Sequence, residues 1–468
     1  MKKRKLSVWV LTTALVCMLF SGCATPAGNR SSDGKIHIKI GGTPLERTEN
    51  NAAIYDLFHK NADAFMKENP NIVVEADSWS FDLQNYLAKG AAGDLPTMFT
   101  TSPTELKKLA DTEYISDVTK LAKKYGYANA YDNELYGDQY MIDGKYYALI
   151  QDSAISYIGV VYNNKVFKEA GLLNSDGKID YPQTWEELAE TAKTIKDKTG
   201  KIGFVMPTKN NQGGWLFLNI MKAYGADFET EKDGKWKAVF ASDEGVAALQ
   251  YIKDLKWKYG VLQDEIIADM YTAGQNIATD NAAMTITGVG MLSAFVDKYE
   301  LDTSKIEMSK NPAGPKGRYS QRNSTIVVFS GTEEENEACF KWLDFIGQGV
   351  NVTDEVKENY EANVKIKNER NYPVGYGIIS ALKNSKKTDM MNEIEKKYAT
   401  VDSKNYEDYV KGEGVKYFSE PPRCAQQLYA LFDACMQQVL SVKNADCKAI
   451  LEKAQKDFQV NYLDKETN

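Results

Sequence analysis

Strict alternation of apolar and polar positions over Lys35–Gly41, KIHIKIG, predicts a strand with one buried face. Ile54, Leu57, Phe58, Ala62 and Phe65 then fall at helical spacing and stop before Pro70. Asn71–Asp77, NIVVEAD, returns to a strand. Strand, helix and strand at this spacing form a βαβ unit and so an α/β sheet. A helix follows over Phe81–Ala91, and the turn Gly93-Asp94-Leu95-Pro96 leads into a third strand, Thr97–Thr100. Thr101, Ser102 and Pro103 cap the helix Glu105–Ala110. Loops at such strand ends form the ligand edge of open α/β sheets, which makes Thr101 and Ser102 candidate contacts. One more helix is expected over Ile115–Tyr125.

The stretch Asp143–Leu173 changes pattern twice. After the Asp143-Gly144 turn, Tyr146–Ile150 and Ile158–Tyr162 read as two strands, with polar and small residues Gln151–Ser156 between them. Beyond Asn163-Asn164, Val166, Phe167 and Ala170 share a helical face that ends at Gly171. Two strands joined by a short polar link predict a crossing between structural units, with Gln151, Asp152, Ser156 and Tyr157 on it. Downstream, Thr184 with Glu187 forms a capping box for a helix to Asp197, and Gly203–Pro207 reads as a strand. Trp215–Tyr224 is an apolar helix stopped by Gly225, and Ser242–Lys258 turns Val246, Leu249, Ile252 and Leu255 inward. Ile326–Ser330 reads as a strand followed by a helix over Glu334–Ile346. After Asn371 the chain is helical, most clearly over Cys424–Val442 and Lys448–Val460.

The N-terminus carries an address. Lys2, Lys3, Arg4 and Lys5 precede the apolar stretch Leu6–Phe20, which is shorter than the roughly 20 residues of a membrane span and marks residues 1–22 as a signal peptide. Leu19-Phe20-Ser21-Gly22-Cys23 resembles a bacterial lipobox, in which the cysteine receives lipid such as palmitate and becomes the mature N-terminus. Phe20 stands where that motif has Leu, and an ordinary cleaved signal with an incidental cysteine is the other reading. Residues 23–34 then hold the anchor and a Gly-, Ser- and Asn-rich tether, which places the protein at the extracellular face of the cell membrane. Signal removal takes away four basic residues and no acidic one, so the formal net charge moves from −8 to −12 over 446 of the 468 residues. That length accommodates two or three domains, and the acidic balance argues against nucleic acid as a partner.

Chemistry is easier to exclude than to assign. His37 and His59 are the only histidines, one in a strand and one on a helix flank, which all but removes Ser-His-Asp, Cys-His and His-ligated zinc sites. Neither phosphate-binding glycine motif occurs. Asp132–Asp143 superficially spaces acids like a calcium loop, but Tyr136 sits where an oxygen ligand is needed, so no metal is expected. Cys424 and Cys435 lie eleven residues or roughly 16 Å apart on one predicted helix and cannot pair, whereas a Cys435–Cys447 disulfide stays open beside four inert thiols. Paired carboxylates among 65 acids leave a glycoside hydrolase as an alternative of a different class. The 28 Tyr, 17 Phe and 7 Trp supply flat rings of the kind that pack on the C–H faces of sugars.

The strings GKYYAL (144–149), VVYNNKVFKEAGL (160–172) and YPQTWEEL (181–188) together resemble the solute-binding proteins of carbohydrate ABC importers, of which the maltodextrin-binding type is best known. Gly93–Pro96, Asn281–Gly288, Pro312–Gly317 and Ile326–Ile346 resemble further segments in the family's order, so the resemblance covers most of the mature chain. It departs at Ile150, where the family has proline, at Thr97, where it has an acid, and at Val289-Gly290, where maltodextrin binders carry a stacking Trp. The resemblance implies an α/β fold of the two-lobed periplasmic-binding-protein type (type II), each lobe a mixed sheet flanked by helices, with three inter-lobe crossings. Lobe one is expected at residues 35–150 and 313–370, lobe two at 151–312 and 371–468. It also implies a monomer without cofactor that binds a mono- or oligosaccharide, closes about a hinge and delivers it to ABC permease subunits. Expected ligand contacts are Trp79, Thr101, Ser102, Gln151, Asp152, Ser156, Tyr157, Trp215, Gly288 and Tyr429, with Cys23 lipidated. Trp215, ten residues before Gly225, and Tyr429, after Pro421-Pro422, correspond to stacking positions. A non-sugar solute and a sugar-sensing role are the remaining alternatives.

Overall fold

The computed structural model describes residues 33–48, 51–131, 140–150, 154–380, 382–383 and 386–465. The signal peptide, Cys23, the tether, Gln151 and Asp152 therefore lie outside the described residues, as does most of the 132–143 tract. The opening alternation forms the strand Ile36–Gly41, with Ile38 and Ile40 buried and Lys39 exposed. It pairs in parallel with Ile72–Asp77, register Ile36↔Ile72, and with Met98–Thr101, register Ile40↔Met98. Ile326–Phe329 inserts antiparallel between Met98–Thr101 and Ala148–Ile150, completing a five-stranded mixed sheet. The helices Ala52–Glu68 and Glu333–Phe345 cover it, and Phe65 meets Trp342 and Phe345 edge-on at 5.5 and 5.3 Å. Each such ring removed from water contributes about 1.5–3 kcal/mol.

A second sheet of eight strands is built around Ala154–Asn163. Ala282–Gly288 and Ile306–Lys310 flank that strand antiparallel, and Ile202–Val205 adds in parallel beyond Ala282–Gly288. Gly317–Asn323 pairs with the start of the central strand, Arg322 opposite Tyr157, and carries Val415–Phe418 alongside. The helices Trp185–Thr199, Gln212–Tyr224, Asp243–Trp257, Ala425–Ser441 and Cys447–Asn461 bury their apolar faces in one core against this sheet. Each sheet thus has its own core.

Three passages join the units. The first runs from Ile150, paired with Ile326 in the first sheet, to Ala154 in the second. Ile150 is buried and fills an ordinary strand position at the point where the family has proline. The second passage lies between Asn323 and Ile326. Residues 313–323 pair within the second sheet, so the lobe boundary expected at 313 moves to 324–325. The third lies beyond Asp354–Glu369, where Ile379–Ser380 pairs with Ala154–Ile155 of the second sheet. The helix Lys386–Lys397, later in the chain, packs back on Asp354–Glu369 through Val356, Val364, Met390, Met391 and Ile394. Hydrophobic spacing marks helices but not the neighbour each one packs on.

Two further differences have local causes. The helix expected over Ile115–Tyr125 is reduced to Thr119–Lys124. The Ser116 and Val118 amides donate to Phe329 O and Tyr146 O at 2.7 and 2.8 Å, and these bonds hold the first turn extended. Cys339, Cys424, Cys435 and Cys447 are all buried, and Cys435 and Cys447 are free thiols, so the Cys435–Cys447 disulfide does not form. Among the described residues no helix is long and apolar enough to cross a membrane.

Candidate functional site

Gly213-Gly214 opens the helix Gln212–Tyr224 and decides how close the helix Ala425–Ser441 can come. A Cβ on Gly214 would collide with the backbone carbonyl of Tyr429, and one on Gly213 with the carbonyl of Pro207 and with Asp433. With no side chains there, Asp433 reaches the helix start and accepts from the Asn211 and Gly214 amides, both at 2.7 Å. A carboxylate at a helix N-terminus is favoured by the orphan N–H groups and the dipole. Burial nevertheless pushes the Asp433 carboxyl up to about 6 against those bonds.

This close packing aims Trp215 and Tyr429 at one acceptor, Glu420, which follows the strand Val415–Phe418. Trp215 Nε1 donates to Glu420 Oε1 at 2.7 Å, the Tyr429 hydroxyl to the same oxygen at 3.0 Å, and Gln321 Nε2 to it at 3.0 Å. Gln321 is itself fixed by its amide donating to Asn219 Oδ1 at 2.8 Å. Ser102, in the loop after the third strand of the first sheet, donates to the other oxygen at 3.4 Å. One carboxylate is therefore contacted by both lobes and by the strand that leads into the second passage. Burial pushes the Glu420 carboxyl up; the hydrogen bonds from Tyr429, Trp215 and Ser102 oppose this, and the nearby Glu105 charge adds to it. Glu420 and Trp215 both keep part of their surface open to solvent.

The expected contacts separate into groups. Ser102, Trp215 and Tyr429 converge on Glu420. Tyr429 is 1% exposed, however, so its hydroxyl reaches the site while its ring packs in the core and offers no stacking face. Thr101 is the buried last residue of its strand, and its hydroxyl has no hydrogen-bond partner. Trp79 packs edge-on against Phe99 at 5.2 Å and Phe81 at 6.2 Å in the first lobe, with its indole N–H buried and unpaired. Tyr157 is 0% exposed and stacks on Tyr409 at 4.4 Å, which places its ring in the core of the second lobe. Ser156 lies beside it, 3.5 Å from the Tyr409 hydroxyl, and Gly288 is buried in the sheet opposite Ile158. Glu420, Gln321, Glu105 and Asp433 escaped sequence reasoning. The one available signal was a carboxylate between a strand and Pro421-Pro422, a rigid junction before a helix.

Residues 48–348 match the family described as "Bacterial extracellular solute-binding protein". The chain belongs to that family. A relative, the arabinooligosaccharide-binding protein of Halalkalibacterium halodurans, is 23% identical over 210 residues, which are 42% of this chain and 43% of the relative. The alignment thus spans less than half of that relative's length. The cyclic alpha-maltosyl-1,6-maltose binding protein of Arthrobacter globiformis superposes with a TM-score of 0.64 at 18% identity, over 91% of this chain and 99% of its own. UgpB of Mycobacterium tuberculosis, in complex with glycerophosphocholine, gives 0.65 at 16% identity over 91% and 98%. At these identities the likeness concerns the fold, which is the two-lobed α/β architecture of the family.

Proposed function

We propose that this extracellular solute-binding protein binds a mono- or oligosaccharide between its lobes and hands it to the permease of an ABC importer. The observation that carries the reading is the convergence of a partly exposed Trp215, Gln321, Tyr429 and Ser102 on Glu420 from both lobes. An aromatic face beside fixed polar groups suits a ligand with C–H faces and hydroxyl edges. The arabinooligosaccharide-binding relative supports the ligand class. Contacts made by both lobes favour the closed arrangement when ligand is present, which shifts a hinge equilibrium about the three passages. In this reading lobe one comprises residues 35–150 and 326–370, and lobe two 154–323 and 400–465, while between them Ile379–Ser380 pairs with the second sheet and Lys386–Lys397 packs on Asp354–Glu369. Cys23 carries the lipid, the protein acts as a monomer at the outer face of the membrane, and it needs no cofactor and breaks no bond. Gln151, Asp152, Ser156 and Gly288 stand close to the first passage in sequence or pairing and complete the proposed contact set with Trp79, Thr101, Ser102 and Trp215.

The test is a tryptophan-fluorescence and thermal-shift screen of the mature chain against an oligosaccharide panel that also contains polyamines, peptides and glycerophosphodiesters. A sugar that raises the unfolding temperature and perturbs the fluorescence is expected. Binding of only non-sugars would sink the reading, and release of sugar products would indicate an enzyme.

A further inference from the structure

The hydrogen-bond account around Glu420 does not close. Oε1 receives three donors, but Oε2 receives only Ser102, at the outer edge of hydrogen-bond distance (3.4 Å). Among the described residues all four donors to this carboxylate are neutral. Gln321, whose amide N–H is spent on Glu420, is 0% exposed and its Oε1 accepts nothing. Glu105 belongs to the same loop as Ser102, its amide donating to Ser102 O at 3.1 Å. It is 7% exposed, and its Oε2 accepts no hydrogen bond. Lys108 Nζ, 3.8 Å from that oxygen, is its ion-pair partner, so among the described residues Glu105 and Glu420 share one cation. Arg322 donates to Ser419 Oγ at 3.1 Å, and Arg423 lies over the Trp236 ring at 5.5 Å.

Among the described residues, two carboxylates thus share one cation, and Glu105 Oε2 and Gln321 Oε1 accept no hydrogen bond, beside a tryptophan whose surface is partly open. We propose that the ligand is a saccharide bearing a protonated amine, with the ammonium held by Glu420, the Glu105 charge behind it adding to the attraction, and Trp215 against a C–H face of the ring. The inference rests on the saccharide reading above and narrows it. A sugar hydroxyl brings one donor and no charge. An ammonium brings three donors and the missing counter-charge, so only the second offsets the several kcal/mol of desolvating an unpaired carboxylate. An acidic sugar would be repelled by the same pair.

The experiment is isothermal titration of the mature chain with a glucosamine tetrasaccharide, its N-acetylated counterpart and maltotetraose at pH 6.5, where the amines carry charge. The amine form is expected to bind about 10-fold or more tightly than the N-acetylated form. Glu420→Gln should erase most of that preference, read as the ratio of amine to N-acetylated affinity in the same variant. Glu105→Gln should reduce it by a smaller factor. Glu105 makes no hydrogen bond to Trp215 or Tyr429, so this second variant decides the matter if Glu420→Gln lowers the thermal midpoint. Equal binding of the amine and N-acetylated forms, or binding of a neutral sugar alone, overturns the inference and leaves the saccharide reading standing. Failure of every sugar in the wider panel, amine-bearing ones included, overturns both.

Discussion

Trp215 has a fixed polar edge and an open surface at once, as does Trp257, whose N–H donates to Val439 O at 2.9 Å away from the Glu420 cluster. Trp185 and Trp342 are 0 and 2% exposed in the two cores, and Trp79 sits among Phe81 and Phe99. The Trp215 N–H is bound to Glu420, which locks the ring plane and removes the entropy a ligand would otherwise have to freeze. Trp215→Ala should therefore weaken sugar binding on the order of 10-fold or more, and Trp215→Phe by a smaller factor, as read by calorimetry. Asp433 gives a pH prediction. Its folded carboxyl is raised to about 6 from an ordinary 3.8, so the folded state prefers the protonated form. The stability it contributes is full below the unfolded value and is lost as pH rises through the folded one. Relative to the non-titrating Asp433→Asn, the wild type should lose up to about 3 kcal/mol between about pH 4 and pH 7 in urea denaturation. At this scale the burial of Tyr157 was not legible in the sequence: it stacks on Tyr409, 252 residues away, and no local pattern marks that partner.

Elements were legible where their ends are chemically marked. Thr184 and Thr332 both accept from the amide three residues on, and the helices they start run over Trp185–Thr199 and Glu333–Phe345, close to the expected bounds. Thr332 and Glu335 complete a reciprocal capping box, so Thr332→Ala should cost about 1 kcal/mol of stability by chemical denaturation. Ile115–Val118 shows the opposite case, in which helical spacing gives way to long-range backbone pairing with Phe329 and Tyr146. Gly213-Gly214 reads in sequence as a helix start. In the fold it is also the gap through which Ala425–Ser441 approaches. Gly214→Ala should cost about 1–3 kcal/mol from overpacking and should also loosen the Trp215–Glu420–Tyr429 cluster, seen as a changed tryptophan emission spectrum.

For the whole molecule, the arrangement of two sheets with separate cores joined by three short passages makes lobe motion the softest deformation. Saturating ligand should therefore reduce the radius of gyration measured by small-angle scattering. At about 100 times Kd it should also add about 2.7 kcal/mol to unfolding. Ser102→Ala removes the hydroxyl that touches Glu420 from the opposite lobe. It should weaken binding severalfold and reduce the ligand-induced compaction, without changing the thermal midpoint of the unliganded protein.

The sequence by itself determined the class of the fold, most element positions and the family resemblance, because periodicity, caps and turn residues act over a few neighbouring positions. It also removed most catalytic chemistry through the scarcity of histidine. Tertiary structure alone decided what the later segments join: residues 313–323 pair within the second sheet, and the helix Lys386–Lys397 packs on Asp354–Glu369. It alone decided that four side chains converge on Glu420, since the donors come from residues 102, 215, 321 and 429. Hydrogen bonds between such distant positions leave no local pattern, and only close packing at Gly213-Gly214 brings Trp215 and Tyr429 to the same oxygen.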